Sequence, residues 1–167
     1  MKVADFVADA LSNMSDRLIT GLDGLSVEQQ CYRPDPDANT IAWHMTRVQD
    51  HHIADLEGGN QLWIDDGWDK EMGMSSDLDD HGYGHSSEQV GALVPPNPTV
   101  LDEYQAAVAK RTDTYVRGLT EEQFDEIIDR AWDPPVTRGV RITSVVNETA
   151  QHVGQVSYLR GLVERRA

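Results

Sequence analysis

The chain has 167 residues, 14 Lys+Arg against 29 Asp+Glu, a net charge of −15 and one cysteine. That length suits one domain, 1–167, with a sizeable core, and 39% apolar with 26% charged residues is a globular composition rather than a disordered one. The acidic balance argues against nucleic acid or an anionic membrane surface as partner, and Cys31 alone cannot form an internal disulfide. No run approaches the ~20 apolar residues of a membrane span, and Met1-Lys2-Val3-Ala4-Asp5 does not open a signal peptide. The expectation is a soluble cytoplasmic protein of one domain.

The first predicted element is an amphipathic helix over 2–22. Val3, Phe6, Val7, Ala10, Leu11, Met14, Leu18 and Leu22 recur at helical spacing, and Gly21 and Gly24 end the run. Ser26-Val27-Glu28-Gln29 then has the form of a capping box, closed by Pro34 and Pro36. A second helix is expected over 39–57, capped by Asn39 or Thr40, with Ile41, Met45, Val48 and Leu56 as its stripe and His44 and His52 on or beside it. From Gly58 to Asn97 no period persists. So long a connection is uncommon, and Trp63, Trp68 and Tyr83 argue for a packed crossover over one end of the bundle rather than a disordered connection.

A third helix over 98–118 is announced by Asn97 as cap and Pro98 at the first helical position, with Leu101, Tyr104, Val108, Arg111 and Tyr115 inward. Thr120-Glu121-Glu122-Gln123 repeats the capping-box signature and opens a short helix. The stretch 128–142, with Pro134, Pro135 and Gly139, reads as an irregular connection. A last helix over 143–165 carries Val145, Thr149, His152, Val156, Leu159 and Val163 on one face. The two halves echo each other, helix, capping box, then a His-bearing helix, which points to an all-α four-helix bundle.

Three side chains carry the strongest chemical signal. Glu148 and His152 stand at i and i+4 on the last helix, so they converge on one point among aliphatic neighbours. A carboxylate there needs a partner or a cation. One reading is a hydrogen-bonded Glu–His pair inside the bundle. The other brings His44 from the facing helix, so that His44, Glu148 and His152 hold a divalent metal. Two imidazoles and a carboxylate suit Zn²⁺, Ni²⁺ or Fe²⁺ and leave a position open. His51 follows His44 by roughly 10 Å along the axis and cannot share that ion. His51 and His81 read as solvent-facing or structural. Cys31 reads as a spectator, Trp43 as a packing residue, and Asp77, Asp79 and Asp80 as a solvated loop, since they lack a calcium-loop pattern.

Trp43-His44-Met45-Thr46-Arg47-Val48-Gln49-Asp50 resembles a Trp-His-apolar-x-Arg-x-x-Asp helix of the DinB-like superfamily. The segment from Glu148 through His152, Gly154, Gln155, Tyr158 and Arg160 to Gly161 resembles that superfamily's second signature, and Gln61-Leu62-Trp63 and Gly82-Tyr83-Gly84-His85-Ser86 are similar to an actinobacterial branch. The resemblance spans nearly the whole chain. It implies an up-down-down-up four-helix bundle with a long crossover loop, a three-ligand metal site and pairing of bundle surfaces into a homodimer. Relatives include mycothiol-dependent maleylpyruvate isomerase and bacillithiol or mycothiol S-transferases. Many of them use three histidines, and the carboxylate at Glu148 matches the isomerase variant. This sequence has no counterpart of that isomerase's extra C-terminal domain, so its reaction is not carried over.

The implied function is transfer of a low-molecular-weight thiol, mycothiol or a similar cosubstrate, to a small electrophile at a divalent metal, Zn or Ni first and Fe next. A metal-dependent hydrolase and a non-catalytic metal- or ligand-binding bundle are the alternatives. The long loop is expected to cover the mouth of the site. His85 within it is the candidate acid/base or substrate contact, against an exposed loop histidine. Arg160 is the candidate grip on an anionic group of substrate or thiol, against an ion pair at the end of the bundle.

Overall fold

The structure, a computed structural model, describes residues 1–35 and 41–166. In chain order its elements are α1 (Val3–Leu22), α2 (Val27–Gln30), α3 (Ile41–Glu57), α4 (Leu62–Asp65), α5 (Trp68–Glu71), α6 (Ser87–Ala92), α7 (Val100–Arg117), α8 (Glu121–Phe124), β1 (Ile127–Asp129), β2 (Val136–Thr137) and α9 (Arg138–Glu164). The expected caps Asn39 and Thr40 lie outside the described residues.

Among the described residues the four long helices form the bundle, with α1 and α3 each packed between α7 and α9. Their directions follow from which ends meet. Arg117, last in α7, pairs with Asp5 and Asp9 early in α1, so those two run antiparallel. Thr46 and Gln49 of α3 bond Gln105 and Thr112 of α7 in rising order, so those two run parallel. Arg141, early in α9, meets Asp55, late in α3, and Gly21, late in α1, meets Val156. The result is up-down-down-up, as the resemblance implies. No helix of the described residues is long and apolar enough to cross a membrane.

The core has two parts. Leu18, Trp43, Trp63, Tyr104, Val108 and Val156 pack one end, and Ile53, Leu56 and Ile142 with Val7 and Phe124 pack the other. Between them lies a polar layer in which Ser15, Thr46, Gln49, Gln105 and Thr112 are buried but bonded to one another. Each of these five side chains has a partner within the layer, which offsets the cost of removing it from water.

The crossover from α3 to α7 is packed, not loose. It contains α4, α5 and α6, and Trp63, Met72, Val90 and Leu93 are buried in it. Capping boxes form at Ser26–Gln29 and Thr120–Gln123, as the sequence predicts, and a further one at Ser86–Gln89 opens α6.

Two boundaries differ from expectation. Asn97 does act as a cap, its Oδ1 accepting from the amides of Thr99 and Val100 at 2.9 Å each, but this holds 97–99 as a turn and α7 begins at Val100 instead of 98. The 128–142 stretch is not wholly irregular. Antiparallel β1 and β2 pair Ile127 with Thr137 and Asp129 with Val136, and α9 starts at Arg138 rather than 143. Thr137 supplies the cap, its hydroxyl accepting from the Val140 amide. Gly139, which reads as a break, is a point of close packing, since a Cβ there would lie 3.0 Å from the Phe124 carbonyl oxygen.

Candidate metal centre

His44 projects from α3, and Glu148 and His152 from successive turns of the antiparallel α9. Glu148 Oε1 lies 3.2 Å from His44 Nε2 and 2.9 Å from His152 Nε2. The three ligand atoms fall within 4.8 Å of one another, with the imidazole planes at 86°. His44 is 9% exposed, whereas the Glu148 side chain is 34% exposed, so the cluster is walled on the α3 side and open on the α9 side.

Proton accounting shows what this cluster accommodates. His44 Nδ1 lies 2.6 Å from the His81 carbonyl oxygen, which can only accept, so the proton sits on Nδ1 and the Nε2 lone pair faces the cluster. His152 Nδ1 donates in the same way to Gln155 Oε1 at 2.7 Å. Both imidazoles, when neutral, therefore aim lone pairs at a carboxylate oxygen that also only accepts. Three acceptors around one point call for an added proton or a cation. Burial by itself pushes the Glu148 carboxyl up, but His152 and then His44 outweigh it and hold the carboxyl below its usual range, so it stays an anion. The donor set fits a divalent ion of the zinc type with coordination positions left open.

Beside Glu148 is a cavity of about 180 Å³ lined by Val48, His51, His52, His81, Tyr83 and Ser144. Its histidines form a chain of ring contacts, His52 to His51 at 5.3 Å and His51 to His81 at 5.4 Å. Nothing in the sequence joins these residues, because His81 reaches α3 through the crossover and no helical spacing links it to His51 and His52. His52 is pushed down to about 4, by burial first and then by Arg141 and the neighbouring imidazoles, so it is neutral at neutral pH. His81 is lowered by burial and by His51 and His44.

The other candidates have defined partners. His85 stacks on Trp43 at 5.9 Å and pairs through Nε2 with Asp80 Oδ1 at 2.7 Å, and it is not among the residues lining the cavity. Arg160 stands two turns beyond His152. Its guanidinium donates to the carbonyls of Thr20 and Asp23 at the end of α1 and pairs with Glu164. Cys31 is half-buried with its thiol pushed up by burial, which disfavours the thiolate. Trp43, 1% exposed, is core.

A crystal structure of a conserved protein from Enterococcus faecalis superposes on the fold with a TM-score of 0.89 at 29% identity, covering 98% of each chain. No protein among the curated ones matches the chain. Residues 7–165 match the family model described as mycothiol-S-transferase, and the chain belongs to that family, one of the DinB-like families.

Proposed function

We propose that the protein is a metal-dependent S-transferase that activates a low-molecular-weight thiol of the mycothiol type at His44, Glu148 and His152 and passes it to a small electrophile held in the adjoining cavity. The observation that carries this reading is the meeting of three acceptor atoms within 4.8 Å, two of them with their tautomers set by outside partners. A bound divalent ion, Zn²⁺ or Ni²⁺ by donor type, would supply the positive charge that lowers a thiol's pKa at neutral pH.

The remaining work belongs to the chain. His44 and His152 keep their Nε2 lone pairs directed inward, and Glu148 contributes one negative charge that moderates the cation. Val48 gives the cavity an apolar wall, and His51, His52 and Ser144 give it polar atoms that orient the electrophile. The sulfur forms a bond to the electrophilic carbon, the leaving group departs with the pair of the bond it breaks, and the thiol proton passes to solvent at the open α9 side. Tyr83, 84% exposed at the cavity, is placed to cover the bound electrophile.

Metal analysis and divalent-ion titration of the wild type, His152→Ala and His51→Ala test the reading, together with thiol conjugation of a fluorogenic alkyl halide. His152→Ala is expected to lose metal and conjugation together, and His51→Ala to retain the metal. A wild type that is purified without chelators, holds no metal and takes none up would sink the proposal in favour of a Glu–His core pair. Ester cleavage independent of thiol would mark a hydrolase instead.

A further inference from the structure

The crossover makes an approach to α3 that the triad alone does not require. Arg47 stands one turn after His44 on α3, so the two side chains leave neighbouring positions of one face. Arg47 is fully buried. Its Nη2 donates to the carbonyls of Leu78 at 3.3 Å and Asp80 at 3.1 Å, its Nε donates to Asp80 at 3.2 Å, and its Nη1 donates to Gln61 Oε1 at 2.6 Å. The guanidinium also lies over the Trp63 ring, 4.7 Å from the centroid. A planar five-donor group can hold several carbonyls at once, and a lysine ammonium cannot reproduce that fork. The residue after Asp80 is His81, whose carbonyl takes the His44 Nδ1 proton.

A second observation comes from the next position. Gly82 has φ +90, and a Cβ there would lie 2.9 Å from Trp43 Cζ3 and 3.2 Å from His44 Nδ1. Both the conformation and the space demand glycine. The guanidinium pulls the loop onto α3 from one side of His81, and the missing side chain lets it close on the other.

We propose that the 77–82 loop is a working part of the metal centre, and that Arg47 and Gly82 are positioning residues that fix the tautomer of His44 and thereby set the centre's affinity for a divalent cation. The affinity half rests on the metal reading above; the tautomer half does not. An imidazole whose outer nitrogen is not held can carry its proton on either nitrogen, and the Nε2–H form cannot bind a metal through that atom. Outer partners of this kind are worth about 10–100-fold in metal affinity.

The test uses metal-free wild type, G82A, R47K and R47M, with the His44 tautomer read from imidazole ¹⁵N shifts, then a Co²⁺ titration followed by its visible absorption. Circular dichroism and melting curves report the fold of each variant, and G82A carries the test if R47M does not fold. Wild type should show His44 protonated at Nδ1. Folded G82A should show a mixed or Nε2–H tautomer and bind Co²⁺ about 10–100-fold more weakly, and R47K should lie on the same side of wild type. A loop that merely packs would lower melting temperature without moving the tautomer. Folded G82A and R47K that keep the Nδ1–H tautomer and the wild-type Co²⁺ affinity overturn the proposal. Wild type with the fixed tautomer but no Co²⁺ uptake overturns the affinity half together with the metal reading, a signature distinct from loss in the variants alone.

Discussion

Replacing Asp50 with alanine removes the carboxylate that ties the crossover to α3. Its side chain is fully buried. Oδ1 accepts from the Leu62 amide at 3.0 Å, and Oδ2 accepts from the Trp63 amide at 2.9 Å and the Tyr104 hydroxyl at 2.8 Å. It thus caps α4, which has no side-chain cap of its own. Burial and then Asp50 push the Tyr104 phenol well above its ordinary range, so it remains a donor. Arg47 stands 3.9 Å away and Arg111 3.7 Å away as counter-charges. Asp50→Ala strands the buried Arg47 charge and two amide donors. Breaking a buried pair from one side costs about 3–5 kcal/mol, and the orphaned amides overlap with that figure rather than adding to it. For a chain of this size the melting temperature should fall by about 6–20 °C. Urea unfolding followed by circular dichroism, with chelator present to remove any metal contribution, measures the loss. The sign of the effect has its own check. Asp50→Ala combined with Arg47→Met removes the stranded cation, so the double variant should be more stable than the sum of the single losses predicts, by roughly 0.5–3 kcal/mol. Asp50→Ala within about 1 kcal/mol of wild type, or strict additivity, would count against this role for Asp50, because water would then be reaching groups that the fold buries.

Two further outcomes are expected. His52 has a folded pKa of about 4 against 6.5 for the free side chain, so the folded state binds fewer protons than the unfolded one in that window; its contribution is present above 6.5 and lost as pH falls toward 4. For a half-buried ring this amounts to ~1–2 kcal/mol after solvent screening, and His52→Gln should flatten the stability–pH curve there, whereas parallel curves would remove the assignment. Gly154 lies inside α9, and a Cβ added there would meet nothing within 4 Å, so Gly154→Ala should stabilise by about 0.5–1 kcal/mol and raise the melting temperature; a lower melting temperature would show that the position is not free.

The bundle was legible because each long stretch repeats apolar residues at helical spacing, and because the paired capping boxes mark equivalent corners. What the stripe did not give was its phase in α1. Val3 and Phe6 read as inward but are 50% and 63% exposed, while Ala4, Ala8 and Ser15 are buried. Small residues let α7 and α9 approach closely there, and a reading weighted by large apolar side chains rotates the face toward solvent. In α3 the difficulty is different. Trp43, Arg47, Asp50 and Ile53 are all buried, because the helix is covered by the bundle on one side and by the crossover on the other. A helix buried on two sides has no single stripe to read. The early start of α9 was hidden by Pro134, Pro135 and Gly139, which are turn formers by type but here serve a hairpin and a tight contact with α8.

The site divides along a similar line. Glu148 and His152 were visible because side-chain type and i,i+4 spacing are both written in the sequence, and His44 followed once α3 was set against α9. The groups that orient His44 were not visible. The His81 carbonyl has no residue-type signature, since any residue supplies one, and its placement depends on Arg47 gripping carbonyls at 78 and 80 across the crossover. The sequence marks that arrangement only indirectly, by an arginine three residues after the histidine and a glycine where a loop must touch it. The Trp43–Asp50 motif therefore has a physical meaning beyond its histidine. Trp43 packs the crossover, His44 faces α9, Arg47 draws the loop onto the helix, and Asp50 balances Arg47 while capping α4. Four positions at helical spacing fold the crossover against the site, so the same residues that stabilise the loop also orient the imidazole.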